Sequence, residues 1–241
     1  MKFITRQFSS KPEAIIFDTD NTLYSFNNPN KYAMSKVSKK IVENFGIPEE
    51  LFKYEYSKAR QQIKTRLADT ASSHSRLLYF QVALERLGFG TRILETLDLE
   101  QTYWRSFLES ASLFSGVEEF LNMLKNDGVK TANITDLTSQ IQFRKMVYFN
   151  LDNFFDYVVT SEESGVDKPS KLCFEIALDK MDIDNASNVW MIGDSYENDI
   201  VGAKNLGLKT FLKTNSPPKN MQKCDAYFSS YRKIIKFYET L

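Results

Sequence analysis

The sequence is short of the residue types on which several kinds of functional site depend. Its 241 residues include two cysteines and a single histidine, His74. Two cysteines cannot build a disulfide framework, and Cys173 and Cys224 do not have the spacing of a metal-binding motif. We therefore interpret both as reduced thiols of a cytoplasmic protein. One histidine excludes a His-clustered zinc site and any Ser-His-Asp triad that does not use His74.

An excess of charge of either sign is also missing. Lysine and arginine total 31, as do aspartate and glutamate, so the formal net charge is zero. Proteins that bind nucleic acids or anionic membranes typically carry a basic excess or a basic stripe. No apolar run in the sequence is long enough to span a bilayer. We therefore expect no nucleic-acid partner and no membrane partner, and the oligomeric state stays open.

The amino-terminal residues 1–12 are basic and include no acidic residue. A transit peptide has a similar composition. However, the first strand-like segment begins at Ala14, so removal of such a peptide would cut close to the core. We predict a short disordered tail here, and a targeting role stays open.

The rest of the chain alternates between strand-like and helix-like segments. The strand-like segments are residues 14–17, 129–135, 157–160, 188–192, 209–212 and 226–228. Amphipathic helical patterns separate them, one opening at Pro169 and another stopping at Gly207. This alternation predicts an α/β fold with a doubly wound parallel sheet, similar to a Rossmann fold and covered on both faces by helices.

One stretch breaks the alternation, because residues 30–112 contain no convincing strand. Apolar residues recur there at helical spacing, and we predict helices over roughly residues 31–45, 48–67, 75–87 and 91–109. The sequence thus predicts two domains. An α/β core comprises residues 1–26 and 113–241, and an all-helical domain, residues 27–112, is inserted after the first strand.

Two acidic clusters follow strand-like segments. Asp18 and Asp20 come directly after residues 14–17, and the segment GDSYEND, with Asp194 and Asp199, follows residues 188–192. In open parallel sheets, ligands bind outside the carboxyl ends of the strands. Mg²⁺ binds carboxylate and carbonyl oxygens and keeps water or phosphate for its other positions. The two clusters therefore predict a magnesium site.

A calcium-binding loop is an alternative for the segment that begins DTDNT. Such a loop follows a helix, with Gly at its sixth position and Glu at its twelfth. Here the preceding segment is the strand-like AIIF, and the two positions hold Leu23 and Pro29. The calcium-loop interpretation therefore fails.

Two other residues occupy positions suited to holding a phosphate. Thr135 ends a strand-like segment, where its hydroxyl can donate to a phosphate oxygen. Lys168 precedes the predicted helix start at Pro169, where an ammonium can neutralise phosphate charge. Either residue alone is more typical of a capping threonine or a surface lysine. Their order along the chain relative to the acidic clusters makes the pattern specific.

In that order, the segments DTDNTL, ITD, DKP and GDSYEND resemble the motifs of the haloacid dehalogenase (HAD) superfamily of hydrolases. The resemblance runs from Glu13 to Phe228, and the helical insert resembles the cap of one large branch. Stretches such as ITDLTSQIQFRKM are most similar to phosphatases of that branch acting on nucleotides, sugar phosphates and acylneuraminate 9-phosphates. The resemblance implies a Mg²⁺-dependent phosphatase whose partner is a small soluble phosphate ester.

The resemblance also implies catalytic roles. Asp18 is the expected nucleophile, which forms an aspartyl-phosphate, and Asp20 is the expected general acid and base. Thr135 and Lys168 are expected to hold the transferring phosphoryl oxygens, with Asp136 beside them as a substrate contact. Asp136 departs from the family pattern, in which Asn is frequent at this position.

The metal ligands implied by the resemblance are Asp18, Asp194 and the backbone carbonyl of Asp20. Asp199 is expected beside the metal or linked to it through water. Position 19 departs from the pattern, because Thr19 stands where an apolar residue is usual.

The cap is expected to set substrate choice. His74, Arg76 and Tyr79 occur together in the segment HSRLLY, near a predicted helix start. Each alone is more typical of packing or of an exposed surface. As a group they are candidates for substrate contacts.

Three alternatives stand beside a phosphatase. A dehalogenase with this core needs no metal and lacks the second acidic residue, so Asp20 argues against it. A phosphomutase uses the same motif residues, and the sequence does not separate the two. A catalytically idle binding or regulatory module has no chemical reason to hold Asp18, Asp20, Lys168 and Asp194 at one edge.

Overall fold

The computed structural model describes residues 1–4 and 8–241. The chain divides into two units, one formed by Met1–Ser25 with Leu113–Leu241 and the other by Phe26–Ser112. We call them the core unit and the cap unit.

A seven-stranded sheet organises the core unit. Its strands are β1 (Lys2–Phe3), β2 (Ala14–Phe17), β3 (Lys130–Thr135), β4 (Tyr157–Thr160), β5 (Val189–Gly193), β6 (Lys209–Lys213) and β7 (Ala226–Phe228). Their spatial order is β1-β7-β6-β5-β2-β3-β4, and every neighbouring pair is parallel except β1 with β7.

The cap unit is helical. Its helices are α1 (Asn27–Phe45), α2 (Glu49–Leu67), α3 (Arg76–Arg86) and α4 (Ile93–Ser110), with a 3₁₀ turn at Ala71–His74. Every residue of the cap unit is described, and all its regular elements are helices. Aromatic rings fill its interior, including the buried Phe80, Tyr103 and Phe107. Among the described residues, no helix is both long and apolar enough to cross a membrane.

Helices cover both faces of the sheet in the core unit. They are α5 (Val117–Asn126), α6 (Ser139–Tyr148), α7 (Ser161–Ser164), α8 (Lys171–Lys180), α9 (Gly202–Lys204) and α10 (Tyr231–Tyr238). On one face, Phe174 of α8 packs in an apolar cluster with Ile16. On the other face, the Phe120 ring of α5 meets Phe17 and Tyr231, with centroids 6.2 and 6.1 Å apart. The predicted doubly wound α/β core with an inserted all-helical domain is confirmed.

Strand β2 lies in the interior of the sheet, between β5 and β3. All its residues are fully buried, as expected for an apolar run in a parallel sheet covered on both faces. Phe17 pairs with Ile192 of β5 and with Asn133 of β3. Because these strands are parallel, their carboxyl ends meet at one edge of the sheet. The residues that follow each strand therefore come together there.

The prediction of a disordered amino-terminal tail is wrong for the described part of that segment. Lys2 and Phe3 pair with β7. The Phe8 ring lies edge-on to Trp190, with centroids 5.8 Å apart, and tilted against Phe211, with centroids 4.9 Å apart. The basic composition of this segment gave no sign of either feature. The ring contacts bury apolar surface, and the pairing with β7 adds an antiparallel strand to the sheet. Residues 5–7 lie outside the described residues.

Two predicted helix boundaries also differ from the structure. Helix α8 begins at Lys171, not at Pro169. The backbone just before it is bonded outside the helix, because the Lys168 N–H donates to Asp136 Oδ1 at 2.9 Å. The helix predicted to stop at Gly207 is a π-helical turn, Tyr196–Val201, continued by α9.

Candidate active site

Asp18 directly follows β2 and is 7% exposed. Its Oδ1 accepts a hydrogen bond from Lys168 Nζ at 2.6 Å, and its Oδ2 accepts one from Thr22 Oγ1 at 2.8 Å. Its backbone N–H donates to the carbonyl of Ile192 at 2.9 Å, one residue beyond the paired part of β2. Both carboxylate oxygens and the backbone of Asp18 are therefore held in place.

Lys168 links two carboxylates. Besides Asp18, its buried ammonium donates to Asp199 Oδ1 at 2.8 Å and to the carbonyl of Ile134 at 3.1 Å. Three acceptors match the three protons of an ammonium group. Although burial alone lowers the pKa of Lys168, the carboxylates of Asp18 and Asp199 raise it well above its usual value. Lys168 is therefore a fixed positive charge beside Asp18.

Three carboxylates converge at this edge of the sheet. One oxygen from each of Asp18, Asp194 and Asp199 lies within 4.8 Å of the others. Burial, opposed by Lys168, raises the pKa of Asp18 to about 7. Burial and the Asp18 carboxylate raise the pKa of Asp194 to about 7, and burial also raises the pKa of Asp199. Two buried carboxylates and the half-buried Asp194, set against one ammonium, make an all-oxygen donor set that fits a divalent cation.

A close backbone approach holds Asp199. Its Oδ2 accepts from the backbone N–H of Ser195 at 2.9 Å, and its Oδ1 faces Lys168. A Cβ atom at position 193 would lie 2.3 Å from Asp199 Oδ2, so the end of β5 has room only for Gly193. The glycine of the GDSYEND segment thus lets a buried carboxylate reach under the turn.

The side chain of Asp20 lies beside this cluster and is 34% exposed. Its Oδ1 accepts hydrogen bonds from Lys145 Nζ at 3.0 Å and from the hydroxyl of Tyr24. Asp20 therefore differs from Asp18, which is buried and bound to Lys168.

Thr19, the residue between these aspartates, is buried and points into the sheet. Its hydroxyl donates to Asn133 Oδ1 at 2.9 Å, and Asn133 Nδ2 donates to the carbonyl of Phe17 at 3.0 Å. A polar pair across β2 and β3 thus takes the place of an apolar contact. This pairing accounts for a threonine at a position where an apolar residue is usual.

Thr135 and Asp136 close β3 at the same edge of the sheet. Gln142 Nε2 of α6 donates to Thr135 Oγ1 at 2.6 Å. Because the threonine oxygen is the acceptor there, its hydroxyl proton can be donated to another group. Asp136 Oδ1 accepts from the backbone N–H of Lys168, so its carboxylate shapes the loop that carries the lysine.

The three candidates in the cap unit have different surroundings. Tyr79 is fully buried, and its hydroxyl donates to the carbonyl of Ser73, so it packs in the interior of the cap. Arg76 Nη1 donates to the carbonyl of His74 at 2.8 Å. The guanidinium carbon of Arg76 lies 5.3 to 5.9 Å from the ring centroids of Phe26, Tyr79, Tyr103 and Trp104. Their contact with substrate stays a prediction.

Sequence reasoning missed several residues that touch the predicted ones. Thr22, Tyr24, Gln142 and Lys145 bond directly to Asp18, Asp20 or Thr135. For Gln142 and Lys145 a signal existed, because they lie three residues apart on one face of an amphipathic segment. That spacing predicts a shared face but not what the face meets.

Lys213 was also missed, although it stands at the end of β6. Its Nζ donates to the carbonyl of Asn21 at 2.7 Å and lies 3.5 Å from the centroid of the Phe114 ring. Burial lowers its pKa to about 8, against the opposite influence of the Asp194 and Asp18 carboxylates. It adds positive charge near the acidic cluster.

The sequence of this chain matches a family model over most of its length. The model describes the haloacid dehalogenase-like hydrolases and covers residues 12–207. The chain belongs to this family. The resemblance stated from its four motif segments is confirmed.

Relatives within the family are phosphatases of small molecules. A ribulose-1,5-bisphosphate 5-phosphatase of Halopiger xanaduensis is 37% identical over 83% of this chain and 83% of its own length. A glyceraldehyde 3-phosphate phosphatase of Methanothermobacter thermautotrophicus is 30% identical over 83% of this chain and 84% of its own length. The phosphatase class predicted from the sequence is the class to which these relatives belong.

Solved structures share the fold. A hydrolase of the same superfamily from Bacillus subtilis, solved with bound magnesium, superposes with a TM-score of 0.72. It is 20% identical and the match covers 95% of this chain and all of the other. At this identity the likeness concerns the fold.

Proposed function

We propose that this chain is a Mg²⁺-dependent phosphomonoester hydrolase that removes phosphate from a small soluble metabolite through an aspartyl-phosphate on Asp18. The observation that carries the proposal is the setting of Asp18. Its carboxylate is held by Lys168 and Thr22 in the same cluster as Asp194 and Asp199, with the more exposed Asp20 two residues away. A held nucleophile beside a second carboxylate suits two-step phosphoryl transfer.

In the first step, an oxygen of the Asp18 carboxylate attacks phosphorus while the bond from phosphorus to the ester oxygen breaks. The Asp20 carboxyl gives its proton to the departing oxygen, which leaves as an alcohol. The Lys168 ammonium and the Thr135 hydroxyl contact phosphoryl oxygens and offset the charge spread over them. Asp18 is then an acyl phosphate and Asp20 is a carboxylate.

In the second step, Asp20 accepts a proton from water as the water oxygen attacks the same phosphorus. The bond between phosphorus and the Asp18 oxygen breaks, which restores the Asp18 carboxylate and releases inorganic phosphate. Asp20 is again protonated and ready for the next substrate. Because Asp20 acts as the acid in one step and as the base in the other, it needs access to the reacting groups, which accords with its partly exposed side chain.

The cation is proposed to be Mg²⁺, because the donor set consists of carboxylate oxygens. Asp18, Asp194 and the backbone carbonyl of Asp20 would hold it, with Asp199 beside them. When bound, Mg²⁺ neutralises charge on the phosphoryl oxygens and on the buried carboxylates. Burial first, and neighbouring carboxylates after it, raise the pKa of Asp18 and of Asp194, and a bound cation would offset the cost of holding both groups ionised there.

For the substrate, we infer a phosphorylated sugar or triose, with nucleotides as the next class. The relatives that span most of this chain are named for ribulose 1,5-bisphosphate and glyceraldehyde 3-phosphate, and a less extensive match is a pyrimidine 5'-nucleotidase of Escherichia coli. A panel of these compounds with Mg²⁺, scored by released phosphate, tests the substrate class. The cap unit is proposed to select among them, with His74, Arg76 and Tyr79 as the candidate contacts.

The mechanism is tested with Asp18→Asn, Asp20→Asn and an aryl phosphate. An aryl leaving group needs little protonation, so the Asp20→Asn protein should release a burst of phenol and accumulate phosphate on Asp18. Its later turnover should fall about 10²–10⁴-fold, because the base of the second step is missing. The Asp18→Asn protein should show neither burst nor labelled protein.

Mass spectrometry of the trapped protein identifies the labelled residue. A burst from Asp18→Asn, or label on another residue, would overturn the proposed nucleophile. Transfer of the label to a second sugar phosphate, in place of release to water, would instead make the chain a phosphomutase.

A further inference from the structure

The structure contains a completely buried lysine that the proposed chemistry does not yet use. Lys145 lies in α6 and is 1% exposed. Burial of an ammonium is unfavourable unless a carboxylate or several acceptors are close to it. Lys145 Nζ donates to Asp20 Oδ1 at 3.0 Å and lies 5.7 Å from the centroid of the Tyr24 ring. The charge of Lys145 is thus directed at the candidate acid and base.

The same oxygen of Asp20 receives a second donor. The hydroxyl of Tyr24 donates to Asp20 Oδ1, and the Tyr24 ring is fully buried and stacked on Phe149 with centroids 4.8 Å apart. Tyr24 also forms backbone bridges to Asp20 and to Leu113. Two rigid donors from different parts of the core unit therefore meet at one carboxylate oxygen.

We propose that Lys145 and Tyr24 are positioning residues that hold Asp20 by Oδ1, so that Oδ2 is the oxygen that gives and takes the proton. This inference rests on the proposed function of Asp20. Neither residue contacts the phosphoryl group in this scheme, and both act through Asp20. The two donors restrict Asp20 to one rotamer, whereas a short side chain on a loop otherwise changes between several rotamers.

Loss of these hydrogen bonds to Asp20 should lower the rate strongly, because proton transfer depends on geometry. A displacement of about 1 Å in a reacting group can lower a rate by about 10²-fold. In the Lys145→Met variant we therefore expect kcat for an aryl phosphate to fall by about 10²-fold and KM to fall with it, because only the second step slows and kcat/KM stays the same. The burst with an aryl phosphate should keep its amplitude, since phosphorylation of Asp18 by that substrate needs little acid.

The matched control is Lys204→Met. Lys204 belongs to the same unit and pairs with the buried Asp225, at 2.7 Å from each carboxylate oxygen. It tests loss of a lysine–aspartate pair without loss of contact to the candidate site. Burst amplitude and kcat of this variant should equal those of the parent protein.

A double-mutant cycle with Asp20→Asn separates positioning from general support of the fold. If Lys145 acts through Asp20, Lys145→Met should change the turnover of the Asp20→Asn protein by less than about threefold. An additional loss of about 10²-fold in that background would overturn the inference. So would a loss of burst amplitude equal to the loss of kcat, because that pattern reports less folded enzyme.

Two other variants keep the test decisive if Lys145→Met does not fold. Tyr24→Phe removes the second donor with little change of volume, and Lys145→Arg keeps a cation that can restore part of kcat. Both should slow the second step and leave the burst intact, and unchanged kcat in both would overturn the inference. If the parent protein forms no phosphorylated Asp18, the proposed function itself has failed, which is a different outcome from a failed role of Lys145.

Discussion

The core unit and the cap unit differ in the side chains that they bury, because in the described part of the chain the core unit buries charged groups and the cap unit does not. Among the described residues, the buried charged side chains all belong to the core unit: Asp18, Lys145, Asp167, Lys168, Asp199 and Asp225. The buried polar side chains of the cap unit carry only hydroxyls: Ser38, Ser73, Thr96 and Ser106. Its interior is otherwise apolar and aromatic, and its partly buried Arg76 lies over rings.

This difference shows what each unit is built to do. Buried charges are stable only when paired, so the core unit accepts an energetic cost at the edge of its sheet where the candidate chemistry lies. Apolar packing stabilises the cap unit, and this packing does not depend on the candidate catalytic groups of the core unit. Changes in the core unit should therefore alter the chemical step, and changes inside the cap unit should mainly alter stability.

Removal of the cation should have the largest effect. With EDTA, phosphatase activity should disappear, because Asp18, Asp194 and Asp199 repel one another and the substrate phosphate without a divalent cation. Added Mg²⁺ should restore it, as measured by released phosphate. Full release of phosphate in metal-free buffer would contradict the proposed metal site.

Lys168→Met should come next. It leaves Asp18 and Asp199 buried without their ammonium, and loss of one partner of a buried ion pair typically costs about 3–5 kcal/mol. Urea unfolding should show this loss, and phosphorylation of Asp18 should become undetectable in the folded fraction. Lys180→Met, which removes a half-exposed partner of Glu163, is the matched control and should cost at most about 1 kcal/mol. Equal costs for both variants would show that burial of the pair does not matter.

Phe80→Ala tests the cap side of the comparison. Phe80 is fully buried, with ring centroids of Tyr56 and Tyr103 at 5.3 and 6.1 Å. The cavity should reduce the free energy of unfolding by about 3–5 kcal/mol. Burst kinetics with an aryl phosphate should still show phosphorylation of Asp18 at the parent rate per folded molecule. A slower chemical step in fully folded protein would mean that cap packing and chemistry are not separate.

Gly193→Ala should have a smaller effect on stability but a clear effect on rate. The added methyl meets Asp199 Oδ2 at 2.3 Å, and such overpacking typically costs about 1–3 kcal/mol. Displacement of Asp199 should also weaken its contact with Lys168 and lower kcat. Gly128→Ala is the control, because its φ of +69° brings backbone strain but no atom lies within 4 Å of the added Cβ. A parent-like kcat in Gly193→Ala would argue against a role for Asp199.

Tyr79→Phe should have the smallest effect. It removes one hydrogen bond to the carbonyl of Ser73, worth about 0.5–1.5 kcal/mol. Thermal unfolding should report a slightly lower Tm, and KM for the best substrate should not change. A raised KM with unchanged Tm would instead support the predicted contact of Tyr79 with substrate.

The sequence was a good guide to the elements of the site that follow strands. Asp18 and Asp194 come directly after apolar strands and Thr135 ends β3, and parallel strands bring such positions to one edge. Lys168 was found through the order of the motif segments. The amino-terminal strand was missed because its stability comes from pairing with β7 and from the ring contacts of Phe8, not from a local pattern.

By itself, then, the sequence determined the alternation of strands and helices and the inserted helical segment, and it named the candidate catalytic groups. These follow from local periodicity and from the residue types that each reaction needs. Tertiary structure alone decided that Lys145, not its neighbour Arg144, points at Asp20 from 125 residues away. It also decided that Tyr79 lies in the cap interior. The physical reason is that periodicity assigns a side chain to a face of its element, whereas the group met by that face depends on packing between distant segments.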